Sequence, residues 1–130
     1  MFEKEKMLAF LDAQIGKPYV FGQENKIGDI DAKSWDCSEL VESAFFYAGV
    51  KVPDGAQNQY NFSTPVTEVV QFDVGFLKED EKVHHVVIAY DASTIVHAKG
   101  TGYGVIKESL DAYQTRNRRT FAGWRRFDGV

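Results

Sequence analysis

The chain predicts an α+β domain, with helices gathered at its start and an antiparallel sheet built from its second half. Three observations carry that prediction. Apolar residues before position 50 recur at helical spacing. From Val66 onward the chain breaks into short runs rich in β-branched and aromatic residues, separated by turn residues. The two patterns follow one another instead of alternating, which argues α+β over α/β.

The elements follow in order. Residues 3–15 read as a helix, with Met7, Leu8, Leu11 and Ile15 on its apolar stripe and a stop at Gly16 and Pro18. "KPYVFG" is a short extended piece ending at Gly22, and residues 23–35 are a polar loop. A second helix begins at Asp36, which suits the N-cap, and Glu39 completes a capping-box pair with it. Leu40, Val41, Ala44, Phe45 and Ala48 form its stripe; Gly49 suits the C′ position and Pro53 follows. Residues 54–65 read as a loop with one helical turn. Six strands are then expected in "TEVVQF", "VGFLKE", "VHHVVIAYD", "TIVHAK", "GVIKESL" and "FAGWRRF".

Composition narrows the class. At 130 residues the chain is expected to form one domain, residues 1–130, large enough to bury a core without staples. Hydrophobic residues at 44% and charged residues at 26% fit a globular protein better than a disordered or membrane one. The start, "MFEKEKMLAFLDAQIG", lacks the basic segment and continuous apolar core of a signal peptide, so the expectation is a chain that is cytoplasmic as synthesised. Net charge is −4, yet all five arginines (Arg116, Arg118, Arg119, Arg125 and Arg126) fall in the last fifteen residues. That end reads as a solvated edge or as a patch that meets an anionic surface. No aromatic residues interleave with it in a nucleic-acid-binding pattern.

The chemistry centres on Cys37, the only cysteine. A lone thiol excludes an internal disulfide and the multi-cysteine zinc patterns. At a helix start the macrodipole favours an anion, which is expected to lower the thiol pKa, although Asp36 opposes this. A thiol nucleophile needs an imidazole and a third group to orient it. The histidines are His84, His85 and His97. If Asp91–Ser93 form a three-residue hairpin loop, Tyr90 pairs with Thr94 and Val87 with His97, and His85 becomes a diagonal neighbour of His97. His84 then points away. A two-residue loop breaks the shared face. The candidate triad is Cys37, His85 and His97.

"GDIDAKSWD" holds Asp29, Asp31 and Asp36 but lacks the glycine and closing glutamate of a calcium loop. Gly100, Gly102 and Gly104 lack the strand-to-helix setting of a phosphate loop.

"DCSELV", then "HVVIAY" and "IVHA", resemble the NlpC-type family of cell-wall cysteine endopeptidases, a papain-like group. "GKPYVFG" resembles its G-x-P-Y-x-x-G motif, "FDVGFL" the strand leading into the histidine, and "FAGWRRF" the closing strand. The resemblance runs in order from about Gly16 to Arg126. It implies a papain-like fold with Cys37 as nucleophile, His85 as general base and acid, and His97 as the orienting residue. It further implies that Tyr19 helps stabilise the oxyanion and that Asp36 and Ser38 shape the substrate cleft. The implied substrate is peptidoglycan or a muropeptide, cut between γ-D-glutamate and a diamino acid, with no metal or cofactor. Without a signal peptide, the expectation leans towards a phage-type or virion-associated enzyme. A non-catalytic module of the same fold, such as a tail-tip protein, and a related thiol amidase or acyltransferase are the alternatives. Glu39, Val87 and Gln23 depart from the family pattern, each standing where glycine is common.

Overall fold

A computed structural model describes residues 1–130. The helices are α1 (Lys4–Gln14), α2 (Cys37–Tyr47), α3 (Ala56–Phe62) and α4 (Leu110–Arg116). The strands are β1 (Thr64–Pro65), β2 (Val74–Glu79), β3 (Lys82–Ala89), β4 (Thr94–Ala98), β5 (Val105–Ser109) and β6 (Phe121–Arg126). All six strands join one sheet in the order β1-β6-β2-β3-β4-β5, and every neighbouring pair is antiparallel. The α+β expectation holds. No helix is long and apolar enough to cross a membrane.

The sheet is covered on both faces. Side chains on successive strand residues point to opposite sides. Val86, Ile88, Val96 and Ala98 join Leu40, Val41 and Phe45 of α2 and Phe10 of α1 in the larger core. Val87 and Ile95 point the other way and pack with Leu77, Leu110 and Tyr113.

That second layer departs from the sequence reading. "GVIKESL" is a strand only to Ser109, whose hydroxyl then accepts the Ala112 N–H and starts α4. The helix has two buried side chains, Leu110 and Tyr113, too few to produce a visible period. "TEVVQF" is not a strand. Phe72 adopts a positive φ of 73°, and the buried Asp73 carboxylate accepts the Val70 N–H, folding the segment into a turn.

Helix α1 buries Met7, Phe10, Leu11 and Gln14; Leu8 is half-buried and Ile15, expected on the stripe, is exposed. The helix ends at Gln14 because the chain must turn at Gly16, whose N–H bonds the Val105 carbonyl at 2.8 Å. Val105 returns a bond to Lys17 at 2.8 Å, so the segment before Tyr19 is sewn to the start of β5. Gly104 permits this approach: a Cβ there would lie 2.5 Å from the Lys17 carbonyl oxygen, and its φ is +72°.

Gln14 is fully buried because its amide is used at both ends. Its oxygen accepts the Trp35 indole N–H at 2.8 Å, and its nitrogen donates to the Ile30 carbonyl at 2.9 Å. The clamp fixes Trp35, two residues before Cys37. Gln14→Leu should therefore destabilise the fold by ~1–3 kcal/mol, because it strands the buried Trp35 indole N–H, while the Ile30 carbonyl keeps its bond from Lys17 Nζ at 3.1 Å. Urea unfolding with an unchanged m-value is the measure, and a loss under ~0.5 kcal/mol would remove the clamp from the account.

Candidate active site

Cys37 opens α2. Asp36 is extended, with φ −100° and ψ 175°, and its carboxylate accepts the Glu39 N–H at 2.9 Å, so it caps the helix as expected. The reciprocal half of the capping box is absent: the Glu39 carboxylate accepts the Asn25 N–H at 3.0 Å instead.

The thiol lies against the edge of β3. Ala89 donates to Asp73 on the β2 side and Tyr90 donates to Thr94 on the β4 side. By alternation, the backbone groups of His84 and Val86 face the β4 side. The β3–β4 ladder, however, consists of Ile88↔Val96 and Ala89↔Ile95. Where the two strands part, Cys37 takes the place of β4. Its Sγ is 3.9 Å from the His84 carbonyl oxygen, and the Val86 N–H hydrogen-bonds the sulfur. The sulfur thus straddles His85 in the chain.

The hairpin supplies the register that the sequence reading required. The Asp91 carboxylate accepts the Ser93 and Thr94 N–H groups at 2.9 and 2.8 Å and the Thr94 hydroxyl, closing a three-residue loop. The register Ile88↔Val96, carried on by one residue, sets Val87 opposite His97. His85 Nε2 and His97 Nδ1 are 2.7 Å apart. His97, nearly fully buried, places Nε2 2.6 Å from Glu108 Oε2. Arg116 then donates to both Glu108 oxygens at 2.9 Å each.

His84 does not point away. Leu77 pairs with His85, but Lys78 pairs with Val83, so His84 is the extra residue of a bulge. It lines one cleft with His85 and His97, and its ring lies 3.7 Å from the Glu79 carboxylate. This cleft has a volume of about 410 Å³ and is also lined by Tyr19, Phe21, Leu77, Lys99, Tyr113, Arg116 and Asn117. Cys37, Asp36 and Ser38 are not among its lining residues. The Asp36 side chain is occupied by its capping bond, and Ser38 offers its carbonyl to Gln59 at 3.0 Å.

Tyr19 is held beside the thiol by main-chain bonds. Val20 donates to Trp35 and Trp35 to Pro18, each at 3.0 Å, forming a parallel bridge at Tyr19↔Trp35. The Tyr19 hydroxyl pKa is raised, first by burial and then by the charges of Cys37 and Asp36. The loop between these anchors is internally bonded. Asn25 Nδ2 donates to the Ser34 carbonyl at 2.8 Å, Ser34 Oγ to Gln23 Oε1 at 2.9 Å, and the Gly28 N–H to Ser43 Oγ at 3.0 Å. Two departures from the family pattern, Gln23 and Glu39, therefore meet in one network through Asn25.

Burial reverses the expected direction at the thiol. Desolvation pushes Cys37 from 9.0 up to about 11, against the lowering effect of the Val86 N–H and the helix-start N–H groups. Desolvation also drives His85 down from 6.5 to about 3, with His97 and His84 adding to the fall. His97 is lowered as well, chiefly by burial, while Glu108 opposes the shift. At rest the thiol and the His85 imidazole are both neutral.

The arginine-rich end is not one patch. Arg116 pairs with Glu108, Arg126 with Asp73 at 2.7 Å, and Arg125 donates to Ser63 at 2.9 Å while lying over the Tyr60 ring. Arg118 and Arg119 are exposed.

Glu108 and Tyr113 escaped the sequence reading, which took Arg116 only as part of the arginine-rich end. Glu108 pairs with Ile95, a register set by the turn after Ala98, whose glycines permit several lengths. The fully buried Tyr113 ring packs 5.8 Å from that of His97, and its hydroxyl has no hydrogen-bond partner.

A sequence model of the NlpC/P60 family matches residues 16–124. No curated protein matches the chain. Among solved structures, a lipoprotein-like NLP/P60 family protein from Staphylococcus aureus is 25% identical, with a TM-score of 0.76 over 95% of this chain. The chain spans 40% of that protein's length. The P60 domain of antigen MAP1204 from M. avium subspecies paratuberculosis is 20% identical, with a TM-score of 0.73 over 95% of this chain and 93% of that domain. The peptidoglycan hydrolase RipB from Mycobacterium tuberculosis is 21% identical, with a TM-score of 0.72 over 94% of this chain and 62% of its own. The last two likenesses show the shared fold.

Two measurements follow from the titrations. The rate of Cys37 alkylation by iodoacetamide should climb as pH rises through 9 towards 11; a plateau across neutral pH would mean a standing ion pair and would overturn the neutral resting state. Glu39 is pushed from 4.5 up to about 7, first by burial and then by Glu42, Asp36 and Asp54, against the Asn25 N–H. Between those pH values the folded chain keeps a proton that the unfolded chain releases, so stability falls as pH rises across the window. Glu39→Gln keeps the acceptor and removes the titration, so its stability relative to the parent should improve from pH 4.5 to 7. A difference constant with pH would assign the shift elsewhere.

Proposed function

Because the chain belongs to the NlpC/P60 family, we propose that it is a peptidoglycan hydrolase. It acts as a cysteine endopeptidase on stem peptides, cutting the bond between γ-D-glutamate and a diamino acid. The observation that carries this reading is the thiol held at the backbone of His84 and Val86, on either side of His85, together with the 2.7 Å contact of His85 Nε2 with His97 Nδ1. In this reading Cys37 is the nucleophile, His85 the base and His97 the orienting group that acyl transfer requires.

The chemistry starts from neutral partners. His85 Nε2 is engaged with His97, so Nδ1 is the nitrogen left for the thiol. His85 takes the Cys37 proton as sulfur bonds to the scissile carbonyl carbon, and the carbonyl π electrons move onto oxygen. The Tyr19 hydroxyl and the Cys37 N–H, free of any intrahelical acceptor, stabilise that oxyanion. His85 then gives its proton to the departing amine as the C–N bond breaks, leaving a thioester. Water attacks the thioester, His85 takes its proton, and the S–C bond breaks. The proton returns to sulfur and the γ-carboxyl product leaves.

The cleft suits such a peptide. Phe21, Leu77 and Tyr113 give it apolar walls, while Lys99 supplies a cation for a substrate carboxylate. Purified peptidoglycan and soluble stem peptides, incubated with the protein and read by mass spectrometry, should show new ends after γ-D-glutamate. Cys37→Ala should reduce the rate by roughly 10⁴-fold or more. Stems released whole from the sugar would make the protein an amidase. Products at parental rate from Cys37→Ala would end the cysteine mechanism.

A further inference from the structure

Beyond the thiol and two histidines, the polar chain continues through Glu108 to Arg116. Each link is short: 2.7 Å from His85 to His97, 2.6 Å from His97 to Glu108, and two contacts of 2.9 Å from Glu108 to Arg116. We propose that Glu108, held by Arg116, is a positioning residue that sets the tautomer of both histidines and bears the counter-charge when His85 takes a proton. This rests on the cysteine mechanism proposed above and adds a residue to it.

The argument begins with Arg116. A guanidinium offers only donors, and here it meets both Glu108 oxygens in a bidentate fork, the geometry of an ionised carboxylate. Glu108 Oε2 is thus an acceptor, and the His97 Nε2 that meets it carries the hydrogen. A neutral imidazole has one N–H, so His97 Nδ1 holds a lone pair. The His85 nitrogen facing that lone pair, Nε2, must donate. His85 Nδ1 is left unprotonated, as a base requires. One carboxylate therefore dictates, through two rings, which nitrogen receives the thiol proton.

The electrostatics act in the same direction. The His97 side chain is 2% exposed and that of Glu108 15%, so solvent screens the pair weakly. When His85 becomes an imidazolium, no carboxylate other than Glu108 terminates its hydrogen-bonded chain. The other charged or titratable groups around it are Cys37 on α2 and its neighbour Asp36, Glu79 on β2, His84 on β3, Lys99 after β4, and Tyr113 and Arg116 on α4. Asp36 is taken up in capping α2 and Glu79 lies at the exposed His84 ring, so Glu108 is the carboxylate hydrogen-bonded to the His85–His97 pair. Arg116 keeps Glu108 ionised, so the proton stays on the histidines.

Two variants test this. Glu108→Gln retains an oxygen that accepts the His97 N–H but lacks the charge; Glu108→Ala lacks both. Two readouts are independent of substrate identity: the iodoacetamide rate of Cys37 at neutral pH and near pH 11, and the histidine tautomers from ¹⁵N-detected NMR. In the parent, His85 and His97 should both be Nε2–H tautomers. Glu108→Gln should keep those tautomers yet slow neutral-pH alkylation about tenfold, the equivalent of one pKa unit. Its rate near pH 11, where the thiolate forms without an imidazolium, should match the parent. Glu108→Ala should in addition lose the single tautomer at His97. Should it fail to fold, Glu108→Gln alone decides the matter: unchanged neutral-pH alkylation refutes the role of the charge. Parental tautomers in a folded Glu108→Ala refute the positioning role. A parent that shows these tautomers and rates but cleaves no stem peptide would sink the proposed substrate and leave Glu108 in place.

Discussion

The structure depends on one replacement: where β3 and β4 separate, a sulfur stands in for a strand. Beyond Ile88↔Val96 the β3 edge has backbone groups without a strand partner, and the first turn of α2 has N–H groups without acceptors. Bringing these two incomplete surfaces together buries Cys37 to 8% exposure and sets it against His84 and Val86. The large core on one face of the sheet holds α2 in place. The histidines belong to the opposite face, and the fork is where the two faces communicate. A fully zipped hairpin would separate nucleophile from base by the thickness of the sheet.

That arrangement explains why the pair rests uncharged. The core that positions the thiol also removes its solvent, and two backbone groups do not offset the loss. Helix position alone predicts a lowered pKa, but desolvation outweighs it when the helix start is packed into a sheet. The consequence is chemical: proton transfer must accompany attack, so the orientation of His85 matters more than its resting charge. Hence the length of the polar chain behind it.

Local features were legible in the sequence and distant registers were not. Asp36 announces α2 because capping is settled within four residues. His85 and His97 could be placed together only on condition of a three-residue loop, and the Asp91 turn supplies it through contacts its own neighbours make. Glu108 lay beyond reach because the turn Lys99–Gly104 is rich in glycine and its register is set by Lys17, a residue far away in the chain. His84 was misplaced because a bulge depends on both strands, and strict alternation describes only one. Helix α4 was missed for a different reason: seven residues with two buried side chains give too little periodicity to outweigh the β-branched run before them. Glu39 looked like half of a capping box, but its carboxylate is drawn to Asn25 by a loop whose folding no local rule describes.

The bridge between Tyr19 and Trp35 also bears on how such a chain can change. It closes the intervening residues into a loop whose two ends are bonded to each other and whose base is clamped by Gln14. Lengthening a closed loop costs little, since closure entropy grows only with the logarithm of length. Residues inserted at the exposed Lys33, past the Ile30 carbonyl that Gln14 holds and the buried Ala32, would enlarge the rim without displacing the nucleophile. One residue inserted between Trp35 and Cys37 would rotate the sulfur off the β3 edge. The domain therefore separates a stretch where length is free to drift from a neighbouring stretch where it is not, two residues apart.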